Sequence, residues 1–225
     1  MKNTIINKSY YRIDSDTKQM GKYFPQLEYT SCSNYEKINC LVNLTPDNLI
    51  INTTSKLKLK FGCKKTDMLS FGSRYYIFSN KLKSVFSKYK STNIFWIPVD
   101  VDFSNSVEKL NVFYHNQLSN KEDIIDFNLT TFKILDIDLD IIKKDLFLDP
   151  SNPVNSMNEI RSKMGKFDVL RIDKIFLKVN GIHILDLFPF ESVNSVIVSS
   201  ELKNEIEELK LSGIQFHKQE VNLIC

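Results

Sequence analysis

A stretch of 27 residues occurs twice in this chain, 120 positions apart, and that repetition limits the folds open to it. Tyr75-Tyr-Ile-Phe-Ser-Asn-Lys-Leu-Lys opens one copy and Ser195-Val-Ile-Val-Ser-Ser-Glu-Leu-Lys the other. Aligned without gaps, residues 75–101 and 195–221 share seven identical pairs: Ile77/Ile197, Ser79/Ser199, Leu82/Leu202, Lys83/Lys203, Lys90/Lys210, Ile94/Ile214 and Val101/Val221. Each copy starts with a short β-rich run, Tyr75 to Phe78 or Val196 to Val198. A serine follows where a helix N-cap belongs, its hydroxyl able to accept from an orphan N–H one turn on. Apolar residues then recur at i, i+4 and i+7, which places them on one helical face: Leu82, Phe86, Tyr89 and Leu202, Ile206, Leu209. Asn93 and Gly213 stand at the far ends, and both residue types take the left-handed C′ conformation readily. Ile94 and Trp96, like Ile214 and Phe216, resume a period of two. The spacing therefore predicts a strand–helix–strand unit present twice (about 75–101 and 195–221).

The remaining segments carry strand and turn signals, so the fold class expected is α+β with mixed or antiparallel sheets. Residues 1–70 read as a β-rich N-terminal region and 71–225 as an α+β region holding both repeats, with a single domain over 1–225 as the alternative. Lys56-Leu-Lys-Leu-Lys-Phe61 alternates as an edge strand or one solvated on a single face does. Leu135-Asp-Ile-Asp-Leu-Asp-Ile141 alternates too, but Leu135, Leu139, Ile142 and Leu146 fit a helix equally well. Asp149-Pro150-Ser151-Asn152-Pro153 is a loop signal. Asn180-Gly181, between two β-rich runs, predicts a hairpin turn.

Six glycines in 225 residues, all isolated, exclude the G-x-G-x-x-G dinucleotide fingerprint. Gly21-Lys22 and Gly165-Lys166 have Asp16 and Ile160 where a phosphate-cradling loop needs its first glycine. Thirty basic against 27 acidic side chains leave a formal charge of +3, too near balance to indicate nucleic-acid or membrane-surface binding. The first residues lack the apolar run of a secretory signal, and no apolar stretch has the length of a membrane span. Cys32, Cys40, Cys63 and Cys225 show no C-x-x-C spacing and read as free thiols, so a cytoplasmic protein without cofactor or metal is expected.

No catalytic constellation emerges from spacing. His115, His183 and His217 form no zinc pattern. His217, between Gln215 and Gln219, reads as a surface histidine. Asp136, Asp138 and Asp140 alternate like ligands of a calcium loop, yet Ile141 and Phe147 stand where such a loop needs Gly and Glu; a solvated acidic face is expected. A Cys–His pair assembled through the fold from His115, His183, Cys32, Cys40 or Cys63 stays open as the basis of a small enzyme. Phe86, Tyr89, Phe95 and Trp96 read as core packing of the first repeat.

The two repeat helices differ on their solvent faces. The first carries Lys81, Lys83, Lys88 and Lys90 with no acid. The second carries Glu201, Glu205, Glu207 and Glu208 against Lys203 and Lys210. A binding protein could present such faces to a partner. Glu201, Glu205 and Glu208, with Asp136, Asp138 and Asp140, are accordingly the candidate partner contacts.

Ser195-Val-Ile-Val-Ser-Ser-Glu-Leu-Lys through Leu211-Ser-Gly-Ile-Gln-Phe216 resembles the C-terminal signature of a family of bacterial immunity proteins. That family, formerly described as a domain of unknown function, accompanies polymorphic, contact-dependent and type VI secreted toxins. Its pattern is a strand, a Ser before a Leu-Lys-rich helix, then Thr/Ser-Gly-hydrophobic-x-Phe; Ser199, Leu202, Lys203, Ser212, Gly213 and Phe216 occupy it. Lys174-Ile-Phe176 to Leu187-Phe188 is similar to the preceding segment, so the likeness runs over roughly 170–220. The resemblance implies a non-catalytic α+β protein that binds a cognate toxin, its gene neighbour, and blocks it in the cytosol. The family supplies no catalytic residues. The other readings are the small enzyme and an adaptor that self-associates through the repeat.

Overall fold

Residues 5–22, 26–29, 56–71, 75–91, 94–115, 121–136, 138–187, 190 and 196–224 are described by a computed structural model of the chain. The N-terminal part contains β1 (Ile5–Ser15), α1 (Thr17–Met20), β2 (Leu27–Tyr29), β3 (Lys56–Leu59) and β4 (Met68–Phe71). The first repeat follows as β5 (Tyr75–Phe78), α2 (Asn80–Phe86) and β6 (Ile94–Asp102), then β7 (Val107–His115). Next come β8 (Thr131–Leu135), β9 (Ile141–Leu146), α3 (Pro153–Ser162), β10 (Val169–Leu177) and β11 (Ile184–Asp186). The second repeat closes the chain as β12 (Val196–Ser199), α4 (Ser200–Glu208) and β13 (Ile214–Ile224).

Both repeat units thus fold as strand–helix–strand, in a mixed α+β architecture. The caps are the expected serines: Leu82 N–H donates to Ser79 Oγ at 3.1 Å and Leu202 N–H to Ser199 Oγ at 3.4 Å. Such a cap contributes about 1 kcal/mol, which matters for helices of only seven and nine residues. In neither unit do the flanking strands touch. One strand separates them, β7 between β5 and β6, and β1 between β12 and β13, antiparallel to both neighbours.

The strands build a six-stranded sheet, β4-β5-β7-β6-β3-β2, and a seven-stranded sheet, β11-β12-β1-β13-β10-β8-β9. The sheets do not part at residue 70. The N-terminal β1 lies inside the seven-stranded sheet, and β2 to β4 join the first repeat. The central core packs both helices against both sheets through Ile13, Phe78, Leu82, Phe86, Phe113, Val198, Leu202 and Ile206, all buried. Trp96 and Tyr89 pack on this cluster as expected of core aromatics. Each fully buried Leu or Ile there is worth about 1.5–3 kcal/mol of apolar transfer.

Several expectations are corrected. Gly213 is not the C′ residue of its helix. Lys210 holds that place at φ 51°, donating to Glu207 O at 3.0 Å, while Leu211 N–H reaches Ile206 O at 3.1 Å. That paired exit turns Leu211 into the core beside Ile206, and the burial offsets the strain at Lys210. Asn93 falls outside the described residues. The chain bends at Asn180 and Gly181 sits at φ 76°, but there is no hairpin: β10 pairs with β8 and β13, and β11 with β12. Of the two readings of the Lys56–Phe61 alternation, the strand solvated on one face holds: β2 and β6 flank β3, with Leu57 buried and Lys58 exposed. Leu135 to Ile141 is neither one strand nor one helix: Leu135 ends β8 and Ile141 begins β9, with Asp136 and residues 138–140 in no strand or helix.

Candidate partner-binding surface

The acidic face of α4 begins at its cap. Glu201 is exposed, and its carboxyl is held below the usual range by its own backbone N–H, then by the Ser199 hydroxyl and the charge of His183. Glu205 behaves differently. Its carboxylate accepts from Lys88 Nζ at 2.5 Å and from the Tyr89 hydroxyl at 2.7 Å, both in the first repeat. Lys81 Nζ reaches Leu209 O at 3.3 Å, at the C-terminal end of α4, where helix geometry favours a cation. The charge contrast between the repeats is therefore met inside the molecule at one point, where Lys88, just past α2, pairs with Glu205 of α4. Glu208 stays exposed, and Lys203 pairs with Glu207 at 2.6 Å along the helix.

This cluster sets a pH dependence. Lys88 and Tyr89 hold the Glu205 carboxyl below its usual range, so its contribution is complete above the unfolded carboxyl pKa and lost as acid titrates the folded group. Burial, then Glu205, push the Tyr89 hydroxyl up to about 12 from its ordinary value of 10.0. Tyr10 is also raised to about 12, by burial and then Glu201. A phenol raised in the folded state stabilises fully below the unfolded pKa and is lost as pH rises from 10 toward 12. Urea midpoints measured across that interval are expected to fall, and to fall less steeply in Tyr89→Phe. An identical slope in the variant would refute the assignment.

Beside the α4 N-terminus lies an open polar pocket of about 270 Å³, lined among others by Lys8, Tyr10, His183, Ser199 and Glu201. Tyr10 donates its hydroxyl to Ile182 O, and Lys8 Nζ donates to Asn180 Oδ1 at 2.8 Å. His183 Nδ1 lies 2.9 Å from Ser199 Oγ and 4.0 Å from Glu201 Oε2. A Ser-His-acid relay needs the hydroxyl and the carboxylate on opposite ring nitrogens, and here both approach the same one. Ser199 Oγ also caps the helix. The arrangement is a structural junction, and its lining includes no cysteine. Half-buried Cys63 sits instead at a bridge to Gly21, while Cys32, Cys40, Cys225 and the His115 side chain lie outside the described residues. His217 is exposed as expected, but neighbouring Gln219 is buried, accepting from Arg12 at 3.0 Å and donating to Asp173 O at 3.0 Å. Among the described residues no group of three His, Cys, Asp or Glu could hold a metal ion, and no helix is long and apolar enough to cross a membrane.

The remaining candidates gather at the β8–β9 tip. Asp136 organises it: its Oδ1 accepts from the N–H groups of Asp138 and Asp140, each at 2.9 Å, and its own N–H donates to Asp140 O at 3.0 Å. Asp138 and Asp140 are exposed. Leu139 between them is 64% exposed and sits at φ 67°. A leucine there incurs backbone strain of about 1–2 kcal/mol that glycine would not. Ile141 and Ile142 are 57% and 55% exposed on β9, the outer strand of its sheet. Exposed Phe167 precedes β10, whose Val169 faces Leu135 as Leu135 faces Ile141. The tip therefore offers apolar anchors inside an acidic rim. Sequence reasoning singled out the acids and missed the anchors. The available signal was Ile141-Ile142: adjacent apolar residues in a strand point to opposite faces, and only one face of an outer strand meets the core. No protein-family model matches the sequence, and no curated protein matches it.

Proposed function

We propose that this chain is an immunity protein: a non-catalytic cytosolic binder that neutralises a cognate bacterial toxin, with the β8–β9 tip as the anchor of the contact. The observation that carries this reading is Leu139, a large apolar side chain kept exposed on strained backbone between two exposed aspartates. Strain and exposure both count against the residue in the free protein, and burial against a partner would offset them. Asp138 and Asp140 on the rim match a basic toxin surface, as a toxin acting on nucleic acid or nucleotides would carry. The resemblance over residues 170–220 supplies the class of partner.

Co-expression with the toxin encoded next door is expected to restore growth, and the two proteins to co-purify; failure of both removes the reading. Leu139→Gly separates the anchor from the fold. The variant is expected to be more stable by about 0.5–1 kcal/mol through relief of the left-handed leucine. It is also expected to bind the toxin at least about tenfold more weakly, the effect of about 1.4 kcal/mol. Unchanged affinity in a stabilised variant would place the contact elsewhere.

A further inference from the structure

The likeness of the two halves extends far beyond the 27-residue repeat. In the six-stranded sheet, Ile77, Val112 and Ile97 lie side by side; in the other sheet Ile197, Arg12 and His217 do. Phe78, Asn111 and Pro98 correspond in the same way to Val198, Tyr11 and Lys218. One shift, from 77 to 197 and 97 to 217, relates the outer strands, and another, from 112 to 12, relates the middle ones.

The next neighbours agree in partner and direction. Leu57 on β3 runs parallel beside Val101, as Ile175 on β10 does beside Val221. Leu69 on β4 is antiparallel to Ile77, as Leu185 on β11 is to Ile197. β2 is antiparallel to β3 as β8 is to β10. The outer faces match as well: Leu57, Leu69, Ile77, Val101 and Leu110 are buried in one outer core, and Ile175, Leu185, Ile197, Val221 and Tyr10 in the other.

The junctions are reciprocal. Ser79 N–H donates to Asp67 O at 2.8 Å just before β4, and Ser199 N–H to His183 O at 2.9 Å just before β11. The segment leaving α4 meets β4 through Met68 N–H to Ser212 O at 3.1 Å. The segment leaving α2 meets β11 through a Ser91–Ile184 bridge. Each half hands the exit of its helix to the edge of the other sheet.

Among the described residues two differences remain: β9 and α3 stand between β8 and β10 without a described counterpart between β2 and β3, and the place of the middle strand in the chain is changed. β7 follows β6 directly, across residues 103–106. Its counterpart β1 precedes every other element, yet pairs with β13 along its whole length, from Ile5 opposite Ile224 to Ser15 opposite Ile214. We propose that the chain is a permuted tandem duplication: residues 26–115 are one copy, and residues 121–224 together with β1 are the other, its middle strand placed ahead of the first copy in the chain order. The slot between β12 and β13 is then a strand-acceptor site built by the second copy, with β1 of this chain as its occupant. Within the strand that fills it, Arg12 stands where the first copy has Val112 and Lys8 where it has Glu108.

The test uses the full chain. Residue 225 is joined to residue 1 by a short Gly-Ser linker, so that β13 and β1 become a hairpin like β6 and β7, and the chain is opened between Gln117 and Leu118. The duplication predicts a folded monomer with an unchanged circular dichroism spectrum and a thermal midpoint within about 5 °C of the parent. The same joined chain left as a closed ring is the reference; a folded ring with an unfolded permutant overturns the proposal. A second measurement reads the parent alone. Under native-state hydrogen exchange in rising denaturant, β1 amides should open together with β12 and β13. Opening of β1 with β2 to β4 instead would show that it belongs to the first half and would equally overturn the proposal.

Discussion

Gly213→Ala is expected to destabilise the fold by about 3–5 kcal/mol, enough to consume much of the stability of an ordinary domain. Gly213 sits at φ 84°, where any Cβ is strained, and a Cβ would stand 2.4 Å from Met68 O and 2.7 Å from the Thr66 side chain. The clash falls on backbone, so it can be relieved only by moving β4. That movement would pull on Asp67, whose carboxylate accepts from the Ser212 N–H and hydroxyl, both at 2.9 Å, and from the Ser79 hydroxyl at 2.8 Å. Gly181→Ala is the control, because Gly181 has φ 76° but nothing within 4 Å of the added carbon. It should cost only the backbone strain, about 1–2 kcal/mol. Urea midpoints of the two variants check the pair; equal losses would mean that close approach to β4 is unimportant.

Phe78→Ala is expected to cost about 3–5 kcal/mol. The ring is fully buried at the centre of the shared core, 4.9 Å from Phe86, 5.5 Å from Trp96 and 5.1 Å from Phe113 between centroids. Removing it leaves a cavity touching strand, helix and the next strand, which cannot all close on it at once. Trp96 is the only tryptophan in the chain, so its emission reports the site directly. The variant should show both the lowered midpoint and a red-shifted emission before unfolding. Phe78→Leu, which keeps most of the volume, should lose less. A Phe78→Ala protein as stable as the parent would mean that this cluster does not hold the halves together.

The legible parts of the fold are those whose partners lie within one turn or one strand. Ser79 and Ser199 each cap an N–H three residues on, and Leu82/Phe86 and Leu202/Ile206 bury a face four residues apart. The candidate site was legible in part: the acids at 136, 138 and 140 were found, but Asp136 proves to hold the turn while Asp138 and Asp140 face solvent. Leu139 could not be found from pattern, because its importance rests on a backbone angle and an exposure that neighbouring residues do not encode. The charge contrast of the helices was visible, but not that Glu205 meets Lys88 and Tyr89.

Sequence alone determined that a capped, one-faced helix between two strands occurs twice, because caps, helical period and strand alternation act over a few residues. Tertiary structure decided everything joined at long range. It placed β1 between β12 and β13, although Ile5 and its partner Ile224 stand at opposite ends of the chain. It gave Gly213 an approach to Thr66 and Met68 in place of a helix cap. The physical reason is the same in each case. Local hydrogen bonds and periodicity choose an element, whereas the neighbour that fills its free edge or face is selected by fit across space, and nothing in the adjacent residues states which neighbour that is.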